Sequence, residues 1–67
     1  MKETIKDFYG QILGYIEDDI NNRLVAKNFH GQILGYYYYK EDVTKDFFGA
    51  TVAHGNVLAS LIRDNNK

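Results

Sequence analysis

The sequence predicts an all-β protein: a small antiparallel meander of long bent strands, built from a repeat of about 20 residues and ending in a short C-terminal helix or strand. Two observations support this fold class. A ten-residue segment occurs twice and then a third time in weaker form, and Phe, Tyr, Ile, Val and Thr, which favour strands, dominate each copy. The 67 residues leave room for one domain, residues 1–67, with units at approximately 4–22, 23–43 and 44–64.

The repeat is clearest between residues 6–15 and residues 27–36. Eight of these ten positions are identical in the two copies, so chance is a poor explanation. The third copy, residues 45–54, keeps the Lys, the acidic residue, the Phe and the first Gly. Treating each copy as one extended strand predicts three or four long strands, whose alternate residues share a face.

Glycines recur at fixed places in this predicted strand. One face of the first copy would carry Phe8, Gly10, Ile12, Gly14 and Ile16, alternating large and small residues. Glycine inside a strand marks a bulge, a bend or a close approach by another backbone. We therefore expect the glycines to mark strongly bent strands. The alternative is that they clear space for a ligand.

The elements between and after the copies follow from local chemistry. Residues 17–22 and 40–44 are polar enough to reverse the chain. Near the C-terminus, Val57, Leu58, Leu61 and Ile62 form a helical apolar stripe, and Asn56 precedes it as an N-cap. A short helix is the preferred interpretation of residues 56–63, and a final strand is the alternative.

The recurring unit Asp/Asn-Phe-aromatic-Gly-x-Ile-Leu-Gly-Tyr, followed by Gly-Asn-Val-Leu-Ala-Ser-Leu-Ile, resembles the four-fold beta-flower family of small bacterial proteins of unknown function. The resemblance covers residues 4–62. It implies a fourfold β organisation, supplied either by residues 55–62 as a degenerate fourth unit or by the assembly of several chains. It implies no catalytic residues, because no activity is established for the family.

Charge and hydropathy exclude several classes of function. The 8 basic and 9 acidic residues give a net charge of −1, and the basic residues are spread among acids. We therefore expect no nucleic-acid partner, because phosphate contacts need a basic patch. No apolar stretch reaches the roughly 18 residues that a membrane helix needs, so we expect no membrane partner and a cytoplasmic location.

Catalytic, cofactor and metal sites are not predicted. The chain has no Cys, and Thr51 and Ser60 lack a nucleophile motif. His30 and His54 occupy aromatic positions of the repeat, so we interpret both as aromatic substitutes. A cleft between chains that joins His54 to Asp46 is the enzymatic alternative.

The cluster Tyr36, Tyr37, Tyr38 and Tyr39 is the predicted interface or ligand platform. A 67-residue chain without disulfides is marginally stable alone, and tyrosine is enriched at interfaces. We therefore predict a non-enzymatic structural or protein-interaction module that self-associates as a homo-oligomer, with a tetramer as one candidate. The alternative is a glycan or cell-wall-binding module that uses the same four rings.

Overall fold

The computed structural model describes residues 2–20 and 22–65, which form one six-stranded antiparallel sheet with the strands in chain order. The elements are β1 (Lys2–Lys6), β2 (Ile12–Asp19), β3 (Arg23–Asn28), β4 (Ile33–Tyr38), β5 (Val43–Asp46), β6 (Thr51–His54) and α1 (Leu58–Asn65). The predicted antiparallel meander is confirmed. The expectation of three or four long strands is wrong, because the described residues form six shorter ones.

The strand number differs because each copy of the repeat contains a turn. Residues 7–11 connect β1 to β2, residues 29–32 connect β3 to β4, and residues 47–50 connect β5 to β6. Gly10 belongs to the first of these turns, with a φ of +82° that is open to glycine and strained for other residues. The predicted face that joined Phe8 and Gly10 to Gly14 is therefore wrong, and each unit is a hairpin.

The second glycine of each hairpin does lie in a strand, where another backbone comes close. Gly14 of β2 and Gly35 of β4 face α1, and a Cβ on either would meet a carbonyl oxygen of the next strand. Both lie beside a β-bulge, since the pairing of Ile5 with Gly14 is followed by that of Lys6 with Ile12. The close approach and the bulge are among the roles expected for these glycines.

Helix α1 covers one face of the sheet and forms the core with it. Its Leu58 and Ile62 are fully buried. They cluster with residues contributed by the first three strands: Ile5, Ile16, Leu24 and Ala26. The helix packs on β2, β3 and β4, and no described element covers the opposite face, which we call the open face.

Two hydrogen-bonded side chains fix the start of the helix. The backbone N–H of Leu58 donates to Asn56 Oδ1 at 3.1 Å, which confirms the predicted N-cap and the helix. The buried Thr44 hydroxyl donates to the Gly55 carbonyl at 2.7 Å and accepts from the Val57 N–H at 3.1 Å.

Within residues 2–20 and 22–65, no helix is long and apolar enough to span a membrane.

Candidate interaction surface

The first tight turn is held by the side chain of Asp7. Its Oδ1 accepts hydrogen bonds from the backbone N–H groups of Tyr9 at 2.8 Å and Gln11 at 2.9 Å. The N–H of Gly10 donates to the Asp7 carbonyl at 3.1 Å. The Asx side chain binds the amides two and four residues ahead, and a glycine at positive φ follows. Together these two features define a hairpin turn that has its own local sequence signature.

The other two turns repeat this construction. Asn28 Oδ1 accepts from two backbone amides at 2.9 Å, and Asp46 Oδ1 does the same at 2.9 Å. Gly31 and Gly49 follow with φ of +86° and +89°. The Asx residue and the glycine therefore build the turn, and the side chains of the two residues between them make none of its hydrogen bonds.

The two central residues of every turn are nevertheless aromatic. Phe8, Tyr9 and Phe48 are 93%, 87% and 89% exposed. Within each turn the two rings contact each other, with centroids 5.8, 3.9 and 5.4 Å apart in chain order. We call the six residues the aromatic edge: Phe8, Tyr9, Phe29, His30, Phe47 and Phe48.

All three turns lie at the same end of the sheet, because alternate connections of a meander share one end. Neighbouring turns are two strand spacings apart, which is about 10 Å. An open groove of about 510 Å³ joins the second turn to the third, between Gly31 and Phe47. The aromatic edge is therefore one surface, and the opposite end carries the turn of residues 39–42.

In the described part of the chain, the exposed large hydrophobic residues outnumber the buried hydrophobic residues. Nine large hydrophobic residues are exposed, against eight hydrophobic residues in the buried core. Five of the nine belong to the aromatic edge. Scattered exposed apolar residues are ordinary, but a contiguous exposed patch marks an interaction site.

The four consecutive tyrosines are divided between the two faces of the sheet. Tyr36 and Tyr38 pair with Val25 and Arg23 on the open face. Tyr37 points the other way and packs against the core beneath the helix. Tyr39 follows β4 and is half exposed, so the predicted platform is not one continuous surface.

Two titratable groups near these rings, the Asp19 carboxyl and the Tyr37 hydroxyl, form side-chain hydrogen bonds that shift their pKa values. The Arg23 guanidinium binds Asp19 at 2.6 Å and holds the pKa of that carboxyl below its ordinary value. Tyr37 donates to Asp42, and this bond raises the pKa of the Tyr37 hydroxyl above its ordinary value. Each of the two groups therefore has a defined hydrogen-bond partner.

The histidine and carboxylate of the enzymatic alternative are not brought together by the strand register. His54 lies opposite Val43, whereas Asp46 holds the amides of its turn. Among residues 2–20 and 22–65, no group of three or more His, Cys, Asp or Glu side chains is arranged to hold a metal ion.

The aromatic edge is the surface that sequence reasoning missed. Its signal was present in Asp7, Asn28 and Asp46, each followed three residues later by a glycine. That spacing is a turn signature, and it was obscured because the flanking residues all have strand propensity.

Comparison with known proteins gave no further identification. No family model matches this chain, and neither do any curated proteins or solved structures. The resemblance to the four-fold beta-flower family therefore stays a prediction from the repeated motif.

Proposed function

We propose that this protein is a non-enzymatic interaction module that self-associates, and that the aromatic edge is its main contact with a second copy. The observation that carries the proposal is the exposure of aromatic pairs at all three turns of one end of the sheet. Because the turns are built by other residues, these rings are dispensable for the hairpins and available for binding.

The exposed area fits a stable contact between two chains. At about 200 Å² for a fully exposed ring, the exposed fractions of the five rings amount to roughly 750 Å². A typical specific interface buries about 800 Å² on each partner. A second copy offers the same aromatic surface, so ring-to-ring packing is available without any other component.

The edge strands of the sheet, β1 and β6, also favour a second copy of the chain as the partner. β1 and β6 each pair with one strand within the described residues, so both present unpaired backbone groups at the outer edge. β6 (Thr51–His54) carries no formally charged side chain when His54 is neutral, and such an edge readily accepts another strand. Contact through the first and last strands of neighbouring copies would close a ring, and a tetramer is one such arrangement.

The test is the molar mass in solution, measured by light scattering and by sedimentation over a range of concentrations. We expect the wild type to have a multiple of the 7.7 kDa chain mass. The double variant Phe8→Ser, Phe48→Ser should shift toward 7.7 kDa. Because both rings are almost fully exposed, the variant should keep its circular dichroism spectrum and its fold.

Tyr39→Ser is the matched control, because it removes an exposed ring outside the aromatic edge. It should leave the molar mass unchanged. A wild type that is monomeric at about 100 μM, a concentration that populates even weak complexes, would refute self-association. Dissociation by Tyr39→Ser alone would place the contact at the tyrosine cluster and overturn the role of the aromatic edge.

A further inference from the structure

The open face carries a set of charged and aromatic side chains that strand alternation places together. On each strand these residues alternate with the core residues that face α1, and the cross-strand pairs Tyr15–Lys27, Arg23–Tyr38 and Tyr36–Lys45 fix their positions. The set comprises five cations, two carboxylates and three tyrosine rings, besides His54 at the margin on β6: Lys2, Lys6, Arg23, Lys27, Lys45, Glu17, Asp19, Tyr15, Tyr36 and Tyr38.

Folding therefore separates the charges that the sequence intermixes. The five cations and two carboxylates of the open face give it a formal charge of +3, although the whole chain has −1. Both carboxylates are already engaged, Asp19 with Arg23 at 2.6 Å and Glu17 with Lys27 at 3.4 Å. The open face is thus a basic surface on an almost neutral protein, which suits a polyanionic partner.

The cations alternate with tyrosine rings. The Lys2 ammonium lies 4.4 Å from the centre of the Tyr15 ring, and the Arg23 guanidinium lies 4.1 Å from that of Tyr36. Lys45 lies 5.2 Å from the ring centre of Tyr38. All three rings are partly exposed, so flat groups can reach them beside the cations.

We propose that the open face binds single-stranded nucleic acid. Phosphates would lie against the lysines, while bases stack on the tyrosine rings and on the Arg23 guanidinium. An acidic polysaccharide could satisfy the lysines but has no flat aromatic group for the rings. A duplex hides its base faces in the stack, so it would use the charges alone.

This proposal reverses the expectation from sequence, which rested on the charge balance of the whole chain. That balance includes acidic residues that the fold places on the other face of the sheet, such as Glu3 opposite Ile16 and Asp18 opposite Leu24. The relevant quantity is the charge of the surface that meets the ligand. One binding experiment decides between the two.

The experiment measures the fluorescence anisotropy of labelled oligo-dT and oligo-rU of about 15 nucleotides, the span of a small binding surface. Protein is titrated at salt concentrations from about 50 to 200 mM, with a duplex of equal length in parallel. We expect micromolar binding of the single strands, weaker binding of the duplex, and affinity that falls as salt rises.

Two pairs of variants locate the contact. Lys45→Gln should weaken binding and lower the salt slope by about one, whereas Arg63→Gln, on the exposed side of α1 across the sheet, should change neither. Tyr36→Leu should weaken single-strand binding about tenfold, whereas Tyr36→Phe, which keeps the ring, should retain it. Circular dichroism confirms that each variant is folded.

Three outcomes would overturn the proposal. The first is no anisotropy change at about 100 μM protein in low salt, the weak end of non-specific binding. The second is equal affinity for single strands and for heparin together with no effect of Tyr36→Leu, which would define a general polyanion surface. The third is equal loss in Arg63→Gln and Lys45→Gln, which would place the contact elsewhere.

Discussion

Replacing Gly35 by alanine should destabilise the fold, although the same change in an unstrained strand is stabilising. The new Cβ would lie 2.5 Å from the carbonyl oxygen of Lys45 and 2.6 Å from Cδ2 of Leu61. Nonpolar contacts are normally about 3.5 Å or longer, so each neighbour must move by about 1 Å. The Leu61 side chain can rotate, but the carbonyl belongs to β5, which is paired with β4.

The magnitude follows from these two clashes. Overpacking costs about 1–3 kcal/mol, and displacing a strand from its ladder adds about 1 kcal/mol for a weakened hydrogen bond. We expect Gly35→Ala to lower the free energy of unfolding by about 2–4 kcal/mol, whereas relief of glycine entropy alone would raise it by about 0.5–1 kcal/mol. In a domain of this size the loss corresponds to a melting temperature about 10–25 °C lower.

The assay is urea denaturation followed by circular dichroism, at one fixed protein concentration because the proposed self-association would add to stability. The third repeat supplies the control, since Ala53 occupies the matching position on β6, which has one neighbouring strand among the described residues. Ala53→Gly should cost at most about 1 kcal/mol. A Gly35→Ala variant as stable as the wild type would refute the claim that backbone approach requires glycine there.

Three other substitutions test how local contacts hold the structure. Thr44→Val should cost about 1–2 kcal/mol in urea denaturation because it removes the partner of two partly buried backbone groups before α1, the Gly55 carbonyl and the Val57 N–H. Thr44→Ser should keep most of that stability. Gly31→Ala should lower the free energy of unfolding, measured by thermal denaturation, by about 1–2 kcal/mol because φ is +86° there. Gly31→Asn should lose less stability, since Asn tolerates a positive φ better than Ala does. Equal losses in the two variants would contradict this reason. The hydrogen bond to Asp42 raises the pKa of the Tyr37 hydroxyl above 10.0. The stability that this bond contributes is therefore complete below pH 10.0 and is lost as the pH rises through the raised pKa. Ultraviolet titration should therefore show a tyrosine that ionises above 10.0 in the wild type and is missing from Tyr37→Phe; an unchanged titration curve would contradict the assignment.

Several features were predictable from the sequence because their signals are local. The repeated segment and its strand-forming residues predicted an antiparallel β meander, and Asn56 before an apolar stripe predicted the C-terminal helix. The turns also had a local signal, the glycine three residues after Asp7, Asn28 or Asp46. Strand propensity on both sides hid that signal, so one hairpin was interpreted as one strand.

The candidate surfaces could not be derived in this way, because they depend on which strands become neighbours and which face the helix covers. The four tyrosines have the same chemistry in the sequence, yet Tyr37 packs against the core while Tyr36 and Tyr38 lie on the open face. A shift of one residue in register would exchange these faces. The amino-acid sequence by itself determined the hairpin units, their aromatic turns and the C-terminal helix. The tertiary structure alone decided that the turns share one end and that the cations gather on one face, because cross-strand pairing and helix docking join residues far apart in the chain.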